Sequence, residues 1–155
     1  MKGNAQIIAK LNELLASELT AVNQYIVHSE MCHNWGYNHL HDMIRQRAIG
    51  EMKHAEKLIE RILFLEGVPS VGYLDEICIG KDIQAQFTND RTAEVDAVSS
   101  YNDAIEMVVE LGDNGTAQLL RSILVDEENH LDWLETQLEQ IRQVDVQNYL
   151  LEQIA

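Results

Sequence analysis

The sequence predicts an all-α protein: a four-helix bundle with a long crossover between the second and third helices and a short fifth helix at the C-terminus. Three observations carry that reading. Apolar residues recur at steps of three and four along four long segments; 155 residues suit one compact core, so residues 1–155 read as a single domain; and one proline with eight glycines is too little punctuation for a turn-rich β fold.

In the first segment Leu11, Leu14, Glu18, Ala21, Tyr25 and His28 share a face, and in the second Ile44, Arg47, Glu51, His54, Leu58 and Leu65 do. The short break around Asn34, Trp35 and Gly36 makes these two an antiparallel pair. After Leu65, Gly67, Pro69, Gly72 and Gly80 predict an ordered, non-helical crossover of about fifteen residues. A third face runs through Phe87, Arg91, Glu94, Val98, Tyr101, Ile105 and Val108 and stops at Gly112, and a fourth joins Leu120, Ile123, Glu127, His130, Leu134 and Ile141. The apolar patch from Val146 to Ile154 predicts the small fifth helix.

Eleven basic against 26 acidic residues give a net charge of −15, which argues against nucleic acid or an anionic membrane as partner and favours cations as guests. Cys32 and Cys78 form neither a CxxC pair nor a disulfide framework, so a reduced, cytoplasmic setting is expected. Asn4, Gln6, Lys10 and Asn12 interrupt the N-terminal apolar residues, unlike a signal peptide, and no apolar run approaches membrane-spanning length.

Polar residues on the core stripes carry the chemistry. Glu51 with His54, and Glu127 with His130, each place a carboxylate and an imidazole three residues apart, on one side of a helix. Glu30 with His33 matches the same pattern and shows how cheap it is alone. The first two differ in their company: Glu18 lies 33 positions before Glu51 (51 − 18), and Glu94 lies 33 before Glu127 (127 − 94), so the halves repeat with an offset of 76 (94 − 18). An unpaired carboxylate on such a stripe is expensive to bury. Four carboxylates and two imidazoles make a mixed oxygen and nitrogen set suited to iron or manganese, the arrangement known for di-iron carboxylate bundles. The bland alternative is that these acids and histidines satisfy one another or pair with Arg47 and Arg91. Tyr25 and Tyr101 each follow a terminal glutamate by seven residues (25 − 18, 101 − 94), and read either as core aromatics or, for Tyr25, as an electron source.

The stretches ELTAVNQYIVHS around Glu18, GEMKHAEKLIERILFLEG around Glu51 and His54, DEENHLDWLETQL around Glu127 and His130, and the closing QNYLLEQI resemble those of bacterioferritin over nearly the whole chain. That resemblance implies a ferritin-like fold, a cytoplasmic cage of twenty-four subunits, and a ferroxidase that binds Fe²⁺, oxidises it with O₂ or H₂O₂ and stores ferric mineral. It implies that Glu51 and Glu127 bridge two irons, that Glu18 and His54 complete one, and that Glu94 and His130 complete the other. It also implies that Met52 from two subunits ligates one haem b, with Leu19, Val22, Asn23, Ile26, Ile49 and Lys53 around it; without the resemblance Met52 reads as interface packing. A ferredoxin-like reductant is implied for iron release.

The chain departs from the family at Arg45, Gln46 and Arg47, where Tyr-His-Glu is common, and at Gly50, where an Asp is common. Those departures put an auxiliary interior iron site in doubt. They lead to the expectation of slow mineral growth and of a second subunit type in the cage. Two competing readings are another di-iron carboxylate enzyme and an accessory haem-bearing or structural subunit that co-assembles with a more active chain. Of the enzymes, a peroxide-reducing rubrerythrin would need a cysteine-rich iron domain that two isolated cysteines exclude, and an oxygenase a substrate cavity for which the chain has little material.

Overall fold

The computed structural model describes residues 1–155. Four long helices, α1 (Ala5–Asn34), α2 (Asn38–Phe64), α3 (Ile83–Glu110) and α4 (Asn114–Val144), are followed by the short α5 (Val146–Leu151). The expected architecture is therefore the observed one. Side-chain caps start three of the long helices: Asn4 accepts from the N–H of Gln6, Asp82 from that of Ala85 and Asp113 from that of Thr116. Each such bond satisfies an amide that the first helical turn leaves without a partner.

The two helix pairs close through the same turn. Gly36 (φ 85°) and Gly112 (φ 80°) adopt the left-handed conformation that a side chain would disfavour. The next residue then donates its N–H to a carbonyl five positions back, Tyr37 to Cys32 and Asp113 to Val108, both at 2.9 Å. This is the helix-ending motif in which glycine frees the chain to reverse. The glycines are themselves 76 apart (112 − 36), so the internal repeat includes the turns.

Two apolar clusters fill the bundle. One joins Leu11, Leu15, Leu58, Val108, Leu120 and Ile123; the other joins Leu40, Ile44, Phe87, Leu134 and Ile141 with Tyr149 of α5. On every long helix the metal-type residues fall in sequence between the contributions to the first cluster and those to the second. The core is thus an acidic layer held between two oily ones.

The crossover, residues 65–82, contains no helix and is fastened to the polar stripe of α1. Asn12 Nδ2 donates to the Val68 carbonyl (3.2 Å), and Asn12 Oδ1 accepts from the Ser70 N–H (2.8 Å). Thr20 Oγ1 accepts from the Asp75 N–H (2.8 Å), Gln24 Oε1 from that of Cys78 (3.0 Å) and His28 Nε2 from that of Gly80 (3.0 Å). Thr20, Gln24 and His28 are four apart, one above another along α1. Gln24 and His28 also reach α3: Gln24 Nε2 donates to Asp90 Oδ1 at 2.8 Å, and His28 Nδ1 lies 2.9 Å from the same oxygen. His28, read from periodicity as a core-stripe residue, is buried for this purpose.

Replacing Gln24 with Ala would leave the buried Asp90 carboxylate one donor short and the Cys78 amide without its acceptor. The expected loss is about 1–3 kcal/mol for stranding such groups. Denaturant unfolding measures the loss, and faster amide hydrogen exchange at Cys78 than in the parent locates it.

Candidate metal centre

Glu18 comes from α1, Glu51 and His54 from α2, Glu94 from α3, and Glu127 and His130 from α4, and all six are buried. Their ligand atoms fall into two sets, Glu18, Glu51, His54 and Glu127 in one and Glu51, Glu94, Glu127 and His130 in the other, with the atoms of each set within 4.8 Å of one another. Glu51 and Glu127 belong to both. His54 Nδ1 lies 2.9 Å from Glu127 Oε1, 3.5 Å from Glu51 Oε2 and 3.7 Å from Glu18 Oε2; His130 Nδ1 lies 2.8 Å from Glu94 Oε1 and 3.8 Å from Glu51 Oε1. Both carboxylate oxygens of Glu127 and the Oε2 atoms of Glu18 and Glu94 are buried without a hydrogen-bond partner, and His54 Nδ1 is not aligned for one despite its close contacts. Buried groups left so are rare in proteins and mark a place where something else supplies the partner.

The protein's arginines do not. Arg91 sits 3.8 Å from Glu135, both half-exposed, and Arg47 forms no ion pair although it lines the same opening as His54 and His130. The alternative in which arginines satisfy the acids therefore fails. The Glu30 and His33 pair is exposed, as expected of a chance match.

The two tyrosines cross over. Tyr25 on α1 donates to Glu94 Oε1 of α3, and Tyr101 on α3 donates to Glu18 Oε1 of α1, each at 2.5 Å. Sequence spacing set each phenol beside the glutamate of its own helix; packing gives it to the other one. Each terminal carboxylate thus has one oxygen held by a phenol and one free. Both tyrosines are buried, and burial together with the neighbouring carboxylates holds their hydroxyls well above the ordinary value of 10. Trp133 packs edge-on against Phe87, with centroids 5.7 Å apart, and serves the second apolar cluster.

One contact had no counterpart in the sequence reading. His54 Nε2 lies 2.9 Å from Asp126 Oδ2, so the ring turns its other nitrogen inward. An acid directly before the buried Glu127 was the signal available in the sequence, but an exposed aspartate on a charged helix carries little information by itself.

Two openings reach the layer. One, of about 140 Å³, has Glu18, Glu94 and Glu127 at its floor and Asp75, Glu76 and Asp96 among its lining. The other, of about 170 Å³, is lined by no hydrophobic side chain; Gln46, Arg47, Gly50 and Asn129 are among its lining.

A ferritin-like domain model matches residues 8–144. The chain is 41% identical over 149 residues to the bacterioferritin of Mycolicibacterium paratuberculosis, covering 96% of this chain and 94% of that one. It is 40% identical to the bacterioferritins of Brucella melitensis, covering 96% and 92%, and of Rhodobacter capsulatus, covering 97% and 94%. The chain belongs to the bacterioferritin family. No helix of this bacterioferritin-family chain is long and apolar enough to cross a membrane.

Without a cation the layer must hold protons. Burial first, and then the charges of Glu18, Glu94 and Glu127, push the Glu51 carboxyl well above its ordinary 4.5. Burial, and next Glu127, push Glu94 up to about 8. Burial opposes charging of His54, but its close contacts with the Glu127 and Glu18 carboxylates outweigh it and raise the imidazole from 6.5 to about 10. Burial likewise pushes Glu18 up, yet its close contacts with Glu51 and His54 and the hydrogen bond from Tyr101 outweigh it and hold Glu18 below 4.5.

The signs for stability agree above pH 4.5. Unfolded Glu94 ionises near 4.5 and folded Glu94 near 8, so its contribution is lost as pH rises through that interval. Protonated His54 stabilises the fold fully below 6.5, and that contribution is lost as pH rises to about 10. The metal-free protein is therefore expected to melt at a lower temperature at pH 9 than at pH 6. Saturating Mn²⁺ or Co²⁺, which competes with those protons, should raise the midpoint more at the higher pH. Scanning calorimetry at the two pH values checks both.

Proposed function

We propose that this chain is a ferroxidase subunit of an iron-storage cage, in which Fe²⁺ is the substrate and ferric mineral the stored product. The observation that carries the reading is that two four-ligand sets share Glu51 and Glu127. Two adjacent cations repel, and negative ligands common to both offset that repulsion, while neutral imidazoles at the ends add no further charge. Glu18 with His54 completes one position and Glu94 with His130 the other.

The residues then act as follows. Glu51 and Glu94, protonated in the metal-free state, release their protons as Fe²⁺ binds. Tyr25 and Tyr101 keep one oxygen of each terminal carboxylate occupied and the other available. With H₂O₂, two Fe²⁺ and two protons give two Fe³⁺ and two waters; with O₂, the same two electrons and two protons give H₂O₂. Holding both irons in one dry layer makes either oxidation a matter of proximity. An inactive accessory role would leave the buried oxygens of Glu18, Glu94 and Glu127 without the partner they lack in the metal-free chain.

Further proposals extend from the family. The chain assembles into a cytoplasmic cage of twenty-four copies, alone or with a second subunit type, and a ferredoxin-like reductant serves iron release. Met52 is 45% exposed on α2; Val22, Asn23, Ile26, Ile49 and Lys53 are not buried either, and Leu19 is partly buried against the first apolar cluster. An unengaged thioether on a face left uncovered suits a ligand shared with a second copy. Met52 would hold haem b there together with the same residue of that copy, and haem so held supplies an electron-transfer group.

Glu127→Ala is expected to abolish rapid Fe²⁺ oxidation, since a shared carboxylate serves both metals; stopped-flow absorbance after mixing Fe²⁺ with the aerobic protein tests it. Native-rate oxidation by that variant would overturn the assignment. Met52→Leu keeps the side-chain volume and removes the sulfur, so assemblies of unchanged size should lose haem. Haem absorbance across a size-exclusion peak reads the result.

A further inference from the structure

The internal repeat relates α1 and α2 to α3 and α4 with a constant offset of 76, carrying Glu18 to Glu94, Glu51 to Glu127, His54 to His130 and Gly36 to Gly112. Beside the centre it breaks at several positions, and one of them bears on a histidine. Asp126, one residue before Glu127, corresponds to residue 50, one residue before Glu51 (126 − 76 = 50), and residue 50 is glycine.

The consequence falls on the two histidines unequally. His54 is held from both sides: its Nδ1 faces the carboxylates, while its Nε2 donates to Asp126 Oδ2 at 2.9 Å. His130 presents Nδ1 to Glu94 at 2.8 Å, but its Nε2 meets no protein acceptor, because the repeat-related position offers no side chain. Gly50, Asn129 and His130 line the same opening of about 170 Å³. A Cβ built on Gly50 meets nothing within 4 Å, so the missing side chain is a vacancy in the repeat that packing does not impose. A histidine that ligates a metal ordinarily gives its second N–H to a carboxylate, which fixes ring and tautomer, and losing that partner costs about 10–100-fold in metal affinity. Asp126 is 55% exposed, so its effect lies in orienting the ring more than in charge.

We propose that the centre is asymmetric by construction: Asp126 is a positioning residue that clamps His54, and Gly50 leaves His130 unclamped, so the metal on the His130 side exchanges faster than the metal on the His54 side. The proposal rests on the two-metal reading above and assigns different lability to its two halves.

The test uses Co²⁺, which is not oxidised there by air and absorbs visibly when bound. The purified full-length assembly is loaded to saturation, its cobalt per chain is counted, and excess EDTA is added while the absorbance decays. Two phases of equal amplitude, separated about tenfold or more in rate, are expected. Asp126→Ala should speed the slow phase about tenfold, and Asp126→Asn, which keeps an oxygen acceptor, should restore it. Gly50→Asn supplies His130 with an acceptor without adding a strong metal ligand, and should slow the fast phase about tenfold. A change in packing alone would not move one phase and leave the other in place. Fewer than two cobalt ions per chain overturns the two-metal reading and the clamp with it. Two ions leaving at a single rate, or a Gly50→Asn assembly of unchanged melting temperature whose fast phase does not move, overturns the clamp alone.

Discussion

Everything in this fold answers to one constraint: four carboxylates and two imidazoles share a buried layer in which no arginine or lysine balances them. Burying charge without a partner is among the most expensive things a protein does. Here the metal-free chain meets that expense by holding protons on Glu51 and Glu94, by charging His54, and by donating two phenols to Glu94 and Glu18. Those measures leave several oxygens unpartnered, and it is these atoms that would face a bound cation. The apolar clusters on either side supply the favourable burial that lets such a layer persist.

The crossover belongs to the same problem. It must return the chain the length of the bundle so that α3 can bring Glu94 to the layer, and it has no helix of its own to hold it. Gln24 and His28 perform two tasks at once: each accepts an amide of the crossover and each contacts Asp90, four residues before Glu94 on α3. The height of α3 relative to α1 is therefore tied to the path of the crossover. Asp75 and Glu76, carried on that path, line the acidic opening above the layer. A connection that reads as a mere spacer thus also shapes access to the centre.

The repeat gives the bundle an approximate two-fold relation, and its exceptions are informative. Ligands, tyrosines and turn glycines obey it, because each is required by geometry that both halves share. Positions 50 and 126 do not obey it, and they lie where the half-sites meet an opening and the backbone makes no demand.

The sequence by itself determined the helices, the crossover and the membership of the site. Periodicity works because a stripe of apolar residues every third or fourth position has only one way to be buried, and the 76-residue offset separated Glu51 with His54 and Glu127 with His130 from the decoy at Glu30 with His33. Membership is a property of faces, and faces can be read from spacing. Partnership is not. Only the tertiary structure decided that Tyr25 serves Glu94 and Tyr101 serves Glu18, that His28 supports the crossover, and that Asp126 reaches His54. Those pairings depend on the relative height and rotation of neighbouring helices. Both are set by how the whole core packs, and no spacing along one chain segment records them.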